Sequence, residues 1–146
     1  MNETNATLNI VLANTFVMYF KAHSYHWNVE GINFAQHHGF FGDLYEELYA
    51  VVDTAAEELR AQEEYAPVSI VALLKSATIS EDEEKPATVT EMFEHLSSAN
   101  AEVVNSLNKL FEVATAAKKQ GLADFAAGRL DVHAKHGWML RSHLKG

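Results

Sequence analysis

HWNVEGINFAQHHGFFGDLYEELYAVVDTAAE, residues 26–57, holds both a helix pattern and a set of side chains able to bind metal. Phe34, Phe41, Leu44, Leu48, Val51, Val52, Ala55 and Leu59 recur at helical spacing and make a broad apolar stripe. Gly31 interrupts the pattern upstream, and Asn33 followed by Gln36 has the spacing of a helix N-cap. The same stretch carries His26, His38, Asp53 and Glu57. Two imidazoles with two carboxylates suit a borderline transition metal, meaning iron, manganese or zinc.

Spacing places these groups. If residues 34–65 form one helix, positions 38 and 53 lie 15 residues apart, or about 22 Å along its axis. Groups so separated cannot share an ion. Asp53 and Glu57, four residues apart, do share a helix face. His26 and His38 flank a turn at Glu30–Asn33 and sit at one end of a helical hairpin, with the carboxylates toward the other. A site using all four takes histidines from one chain and carboxylates from a neighbour, and a twofold dimer builds two such sites.

Outward from this hairpin the chain reads as all-α. The first long helix is expected from about Thr4 to Val29. Pro67 closes the second, SIVALLK (Ser69–Lys75) makes a short helix capped by Ser69, and SEDEEKPA (Ser80–Ala87) is a charged loop. Thr88 and Glu91 open the third long helix in capping-box spacing, with a stripe of Val89, Met92, Phe93, Leu96, Val103, Leu107, Leu110 and Ala114. Gly121 is expected to end it, and a last helix runs from about Leu122 to Leu144. Four long helices with a short extra helix in the crossover between the second and third describe a ferritin-like four-helix bundle, one domain over residues 1–146.

Composition narrows the function. Cysteine is absent, which excludes disulfides and thiolate metal sites. Twenty acidic against 11 basic residues give a net charge of −9, which opposes phosphate binding and favours cations. MNETNATLNI lacks a secretory pattern and no apolar run reaches a membrane span, so a cytoplasmic protein with no membrane partner is expected.

No Glu or Asp has His three positions later, so a conventional di-iron site inside the bundle is not expected. Asp53 interrupts apolar surroundings, which weighs the metal reading against that of a solvated helix face. His26 beside Trp27 competes with a core histidine bonded to a carbonyl, and His37–His38 with a pair facing water. His133, His136 and His143 are expected on a solvated or interface face. Phe16, Tyr19, Phe40, Phe41, Phe93 and Phe111 read as core, and Trp27 and Trp138 as core or interface anchors.

KAHSYHWNVEGINF (Lys21–Phe34), His38, DTAAE (Asp53–Glu57) and KHGWMLRSHL (Lys135–Leu144) together resemble the Dps family of mini-ferritins over essentially the whole chain. The resemblance implies a dodecameric hollow shell built from twofold dimers, with ferroxidase sites at the twofold interfaces. It implies His26 and His38 as ligands from one subunit, Asp53 and Glu57 from the partner, Glu57 as the bridge between irons, and Trp27 as a redox-active neighbour. Fe(II) is then oxidised by hydrogen peroxide in preference to oxygen and stored as Fe(III) mineral, with zinc or manganese as other occupants. Asp124, with Asp131 less securely, would line a threefold pore, against the alternative that Asp124 compensates a helix dipole. Many members carry Asp or Glu four residues after the second histidine, and here that position is Gly42. One firm metal position and a weaker second follow, and a shell with impaired oxidation is the alternative function. DNA binding, the family's other trait, is argued against by the net charge and by the lack of Lys or Arg before Lys21.

Overall fold

A computed structural model describes residues 1–146 as five helices and no strands: α1 Glu3–Asn28, α2 Phe34–Ala61, α3 Ile70–Leu74, α4 Val89–Ala116 and α5 Gln120–His143. The expected all-α class and the ferritin-like bundle with a short crossover helix are therefore what the chain forms. α1 packs against α2 and α4, and α4 against α5. No helix is long and apolar enough to cross a membrane.

Local chemistry sets most helix ends. The Asn2 side chain accepts from the Asn5 amide at 2.7 Å and starts α1. Ser69 accepts from the Ala72 amide at 3.1 Å. Thr88 accepts from the Glu91 amide at 3.1 Å, while the Glu91 carboxylate accepts from the Ala87 amide at 2.9 Å, so the expected capping pair forms.

Three expected boundaries differ. Asn33 is no side-chain cap: it sits at φ 65°, left-handed, and turns the chain between α1 and α2 together with Gly31 at φ 102°. α2 stops at Ala61, before Tyr65 and Pro67, because Glu63 turns left-handed at φ 64°. Its amide reaches the Arg60 carbonyl and that of Glu64 reaches Leu59, both at 3.0 Å, closing a Schellman motif. Gly121 does not end α4 but is the second residue of α5. Lys118, at φ 59°, makes the stop, with Lys119 donating to the Ala114 carbonyl at 2.8 Å.

The core is the stripe read from sequence without Phe34, which is 45% exposed at the first turn of α2. Phe41, Leu48, Leu59, Phe93, Leu96, Leu107 and Leu110 are essentially inaccessible, joined by Leu8, Leu12, Met18 and Tyr25 of α1. Each such side chain contributes about 1.5–3 kcal/mol on burial. One of the expected core aromatics falls outside it, Phe111 at 41% exposed, and of the two readings of Trp138 as core or interface anchor its 57% exposure removes the core one. Phe111 follows the buried Leu110, and one residue on a helix turns the side chain by about 100°.

Polar contacts tie the crossover to α1. Buried Asn14 accepts from the amides of Thr78 (2.7 Å) and Ile79 (3.3 Å) and donates to Thr78 Oγ1 at 2.8 Å. Asp82 receives Lys21 Nζ at 3.1 Å and the Tyr25 hydroxyl. Burial and that carboxylate push the Tyr25 phenol up. These bonds hold the loop against the bundle.

Candidate metal centre

The end of α1 and the start of α2 bring His26 and His38 together. Their rings stack with centroids 3.7 Å apart and 17° between planes. Nδ1–H of His26 donates to the His38 carbonyl at 2.7 Å, and Nδ1–H of His38 donates to the His26 carbonyl at 2.6 Å. A carbonyl can only accept, so both Nδ1 atoms carry the proton and both Nε2 atoms keep a free lone pair. This second layer of hydrogen bonds is the kind that fixes tautomer and ring orientation in metal-binding histidines. The His26 carbonyl is free to accept because it lies in the last turn of α1, where helical partners run out.

Gly42 belongs to the same arrangement. To reach the His38 carbonyl the His26 ring lies over the residue one turn on, and a Cβ at Gly42 would come within 3.1 Å of both Cε1 and Nδ1. A carboxylate there would have to shift the ring by a few tenths of an ångström.

Asp53 and Glu57 lie further along the unbroken α2 and are exposed. Within one chain no three His, Asp or Glu side chains gather closely enough to hold a metal. The histidines therefore come together and the carboxylates do not join them. Trp27 is not core: it is 57% exposed, with its ring 4.0 Å from that of His23. Phe20, Phe34 and Tyr49 are likewise 45–60% exposed on the same two helices. Large apolar groups uncovered beside an incomplete ligand set fit a surface that a second subunit covers.

Asp124 is exposed and is the fifth residue of α5, outside the first turn. That placement weakens the dipole explanation, since the field fades within one turn. Asp131 is also exposed.

Two of the three α5 histidines correct the sequence expectation, while His143 is exposed. His133 is 1% exposed and His136 7%, so neither faces solvent. Arg129 donates to Glu47 of α2 through both terminal nitrogens, at 2.6 and 2.9 Å, and His136 Nε2–H donates to the same carboxylate at 2.7 Å. Arg129 also donates to His133 Nε2 at 2.9 Å, and His133 Nδ1–H donates to Asn100 of α4 at 2.8 Å. Burial and the neighbouring guanidinium lower His133 to about 3, so it stays neutral. Burial alone would raise Glu47, but the bonds from His136 and Arg129 hold it at about 2. Sequence inspection missed Glu47 and Arg129. The available signal was the helical register of Ala126, Arg129, His133, His136 and Leu140, a single core-facing stripe in which the polar members need partners.

The ferritin-like domain profile matches residues 5–146 of this chain, the class that the four long helices define. The DNA protection during starvation protein of Brevibacillus brevis is 32% identical, covering 94% of this chain and 92% of its own. The Dps structure from Thermosynechococcus elongatus superposes with a TM-score of 0.95 at 28% identity, over 99% of this chain and 91% of that one. The Dps protein of Vibrio cholerae O1, a member of a broad superfamily of ferritin-like diiron-carboxylate proteins, gives 0.93 at 25% identity, over 98% and 89%. The chain belongs to the Dps family of ferritin-like proteins.

Proposed function

We propose that this protein is an iron-oxidising and iron-storing mini-ferritin whose oxidation sites form between two subunits. The observation that carries the proposal is the reciprocal bonding of His26 and His38, which presents two Nε2 lone pairs with no carboxylate in their own chain to complete the set. Asp53 and Glu57 of a partner complete it in a twofold dimer, and the contact repeats to give two sites. Fe(II) is the substrate. The imidazoles and Asp53 hold it, and Glu57, with two oxygens, can bridge to a second ion. Zinc and manganese suit the same donors.

Hydrogen peroxide is the preferred oxidant over oxygen in this reading, with two Fe(II) supplying its two electrons. Dimers assemble further into a dodecameric shell that keeps the Fe(III) mineral inside, and Asp124 lines the entry pores. The net charge of −9 on each chain opposes DNA as a partner. Gly42 supports a narrower second reading, a shell that binds metal but oxidises it poorly, because no carboxylate stands beside the His26 ring.

Mixed assembly tests the shared site. His26→Ala and Asp53→Ala are each expected to abolish peroxide-driven Fe(II) oxidation. Subunits of the two variants, dissociated and reassembled together, regain it, because one interface site in each mixed dimer is intact. Absence of recovery in assembled mixtures would sink the intersubunit site. Oxidation no faster than buffer in the unaltered protein would select the second reading.

A further inference from the structure

We propose that the cleft between α4 and α5 binds a small oxyanion such as inorganic phosphate, held by Arg141 and Asn100 beside Gly137. The cleft has a volume of about 320 Å³. Small side chains open it, with Ser97 and Ala101 of α4 on one side and Ala134 and Gly137 of α5 on the other.

Two sets of donors meet there without acceptors. Asn100 lines the cleft and is only 6% exposed. The atom beside the His133 carbonyl, at 3.0 Å, has to be Nδ2, because a carbonyl only accepts. That bond uses one of the two amide hydrogens, while Oδ1 takes the His133 Nδ1–H. The second hydrogen has no acceptor in the chain, which is costly for a buried group. Arg141 is exposed at the rim, and none of the ion pairs within the chain uses its guanidinium. Gly137 joins the two. A Cβ on that residue would lie 3.1 Å from Arg141 Nη1 and 3.2 Å from Asn100 Nδ2. Both nitrogens therefore border one space, which stays open because residue 137 has no side chain. The position is inside α5, where helix formation by itself favours alanine.

The donor set selects the ligand. No Asp or Glu lines the cleft, although acidic residues outnumber basic ones by 20 to 11 in the chain. A cation would find no carboxylate there, and an apolar ligand would leave the donors unpaired. An oxyanion suits both, since a guanidinium offers paired N–H groups to two oxygens of one ion. Ser97 and Asn105 add neutral groups able to donate. The net charge of −9 opposes a polyanion laid across the surface. A single small ion responds first to the nearest charges, because screening acts within about 8 Å at physiological salt. A carboxylate from a second copy of the chain carries the same pair of oxygens, and the experiment separates the two sources.

The test is phosphorus-31 NMR of inorganic phosphate with the assembled protein, freed of metal by a chelator and kept at constant ionic strength. The unaltered protein is expected to broaden the line saturably, with one ion per chain, and sulfate to reverse the effect. Arg141→Gln should weaken binding by roughly tenfold or more, the usual effect of a lost charged hydrogen bond. Gly137→Ala should weaken it by filling the shared space, and Arg141→Lys, which keeps the charge but not the paired N–H groups, less than Arg141→Gln. Lys75→Gln removes an exposed charge from outside the cleft and should change nothing. Unchanged binding in Arg141→Gln, or an equal loss in Lys75→Gln, overturns the site, because phosphate would then be an ion of the general surface. No binding by the unaltered assembly also overturns it. If Arg141→Gln then breaks the assembly in size-exclusion chromatography, the occupant is a neighbouring chain's carboxylate instead.

Discussion

Replacing Glu47 by Gln removes the charge from a buried network without changing its shape. Arg129, with its side chain 10% exposed, would keep a guanidinium inside the bundle with no counter-ion. Breaking a fully buried pair costs about 3–5 kcal/mol. Holding the carboxyl at about 2 against an ordinary 4.5 corresponds to about 3 kcal/mol before screening. The Glu47 side chain is 33% exposed, which brings that figure down toward 1–2 kcal/mol, roughly. A loss of about 2–3 kcal/mol at pH 7 is therefore expected, or a Tm lower by about 5–10 °C at fixed protein concentration. Circular dichroism during thermal and urea unfolding reads it. Because the carboxyl is depressed, its stabilisation is complete above pH 4.5 and disappears as pH falls toward 2. The Gln variant should lack that part of the acid profile. It keeps the part from His133, which stays neutral down to about 3 while the unfolded chain takes up a proton below 6.5, so stability falls across that range. The pair Glu47→Leu with Arg129→Met should be less harmful than Glu47→Gln alone, since no charge is stranded. A Gln variant within about 0.5 kcal/mol of the parent would refute the argument, being the range of ordinary surface substitutions.

Gly42→Ala should separate stability from metal binding. The helix gains about 1 kcal/mol from losing an interior glycine, while the Cβ 3.1 Å from the His26 ring disturbs its bond to His38; titration with Co(II) should show weaker binding, and equal affinity would mean the ring yields freely. Lys118→Gly relieves a left-handed residue at φ 59° and should raise stability by about 1 kcal/mol in urea unfolding; a loss would mean that the Lys118 side chain makes an unrecognised contribution. Asp124→Asn should slow mineral growth and leave the first Fe(II) binding step unchanged in stopped-flow absorbance, whereas equal slowing of both counts against a pore role.

The four long helices, their core faces and the capping pair at Thr88–Glu91 were legible in the order of residues, because helical periodicity and capping are local properties. The same holds for the separation of His38 from Asp53, since the rise per residue of a helix is a constant. Tertiary structure decided what depends on contacts across helices. His133 and His136 look like surface groups until Glu47, more than 80 positions away, supplies the carboxylate that makes their burial tolerable. His26 and His38 were visible as a pair, but only packing of α1 on α2 turned both Nδ1–H groups onto carbonyls and laid the His26 ring over Gly42. The left-handed stops at Glu63 and Lys118 were likewise hidden. Neither is glycine, and the six-to-one hydrogen bonds that hold them form only once each helix has ended there.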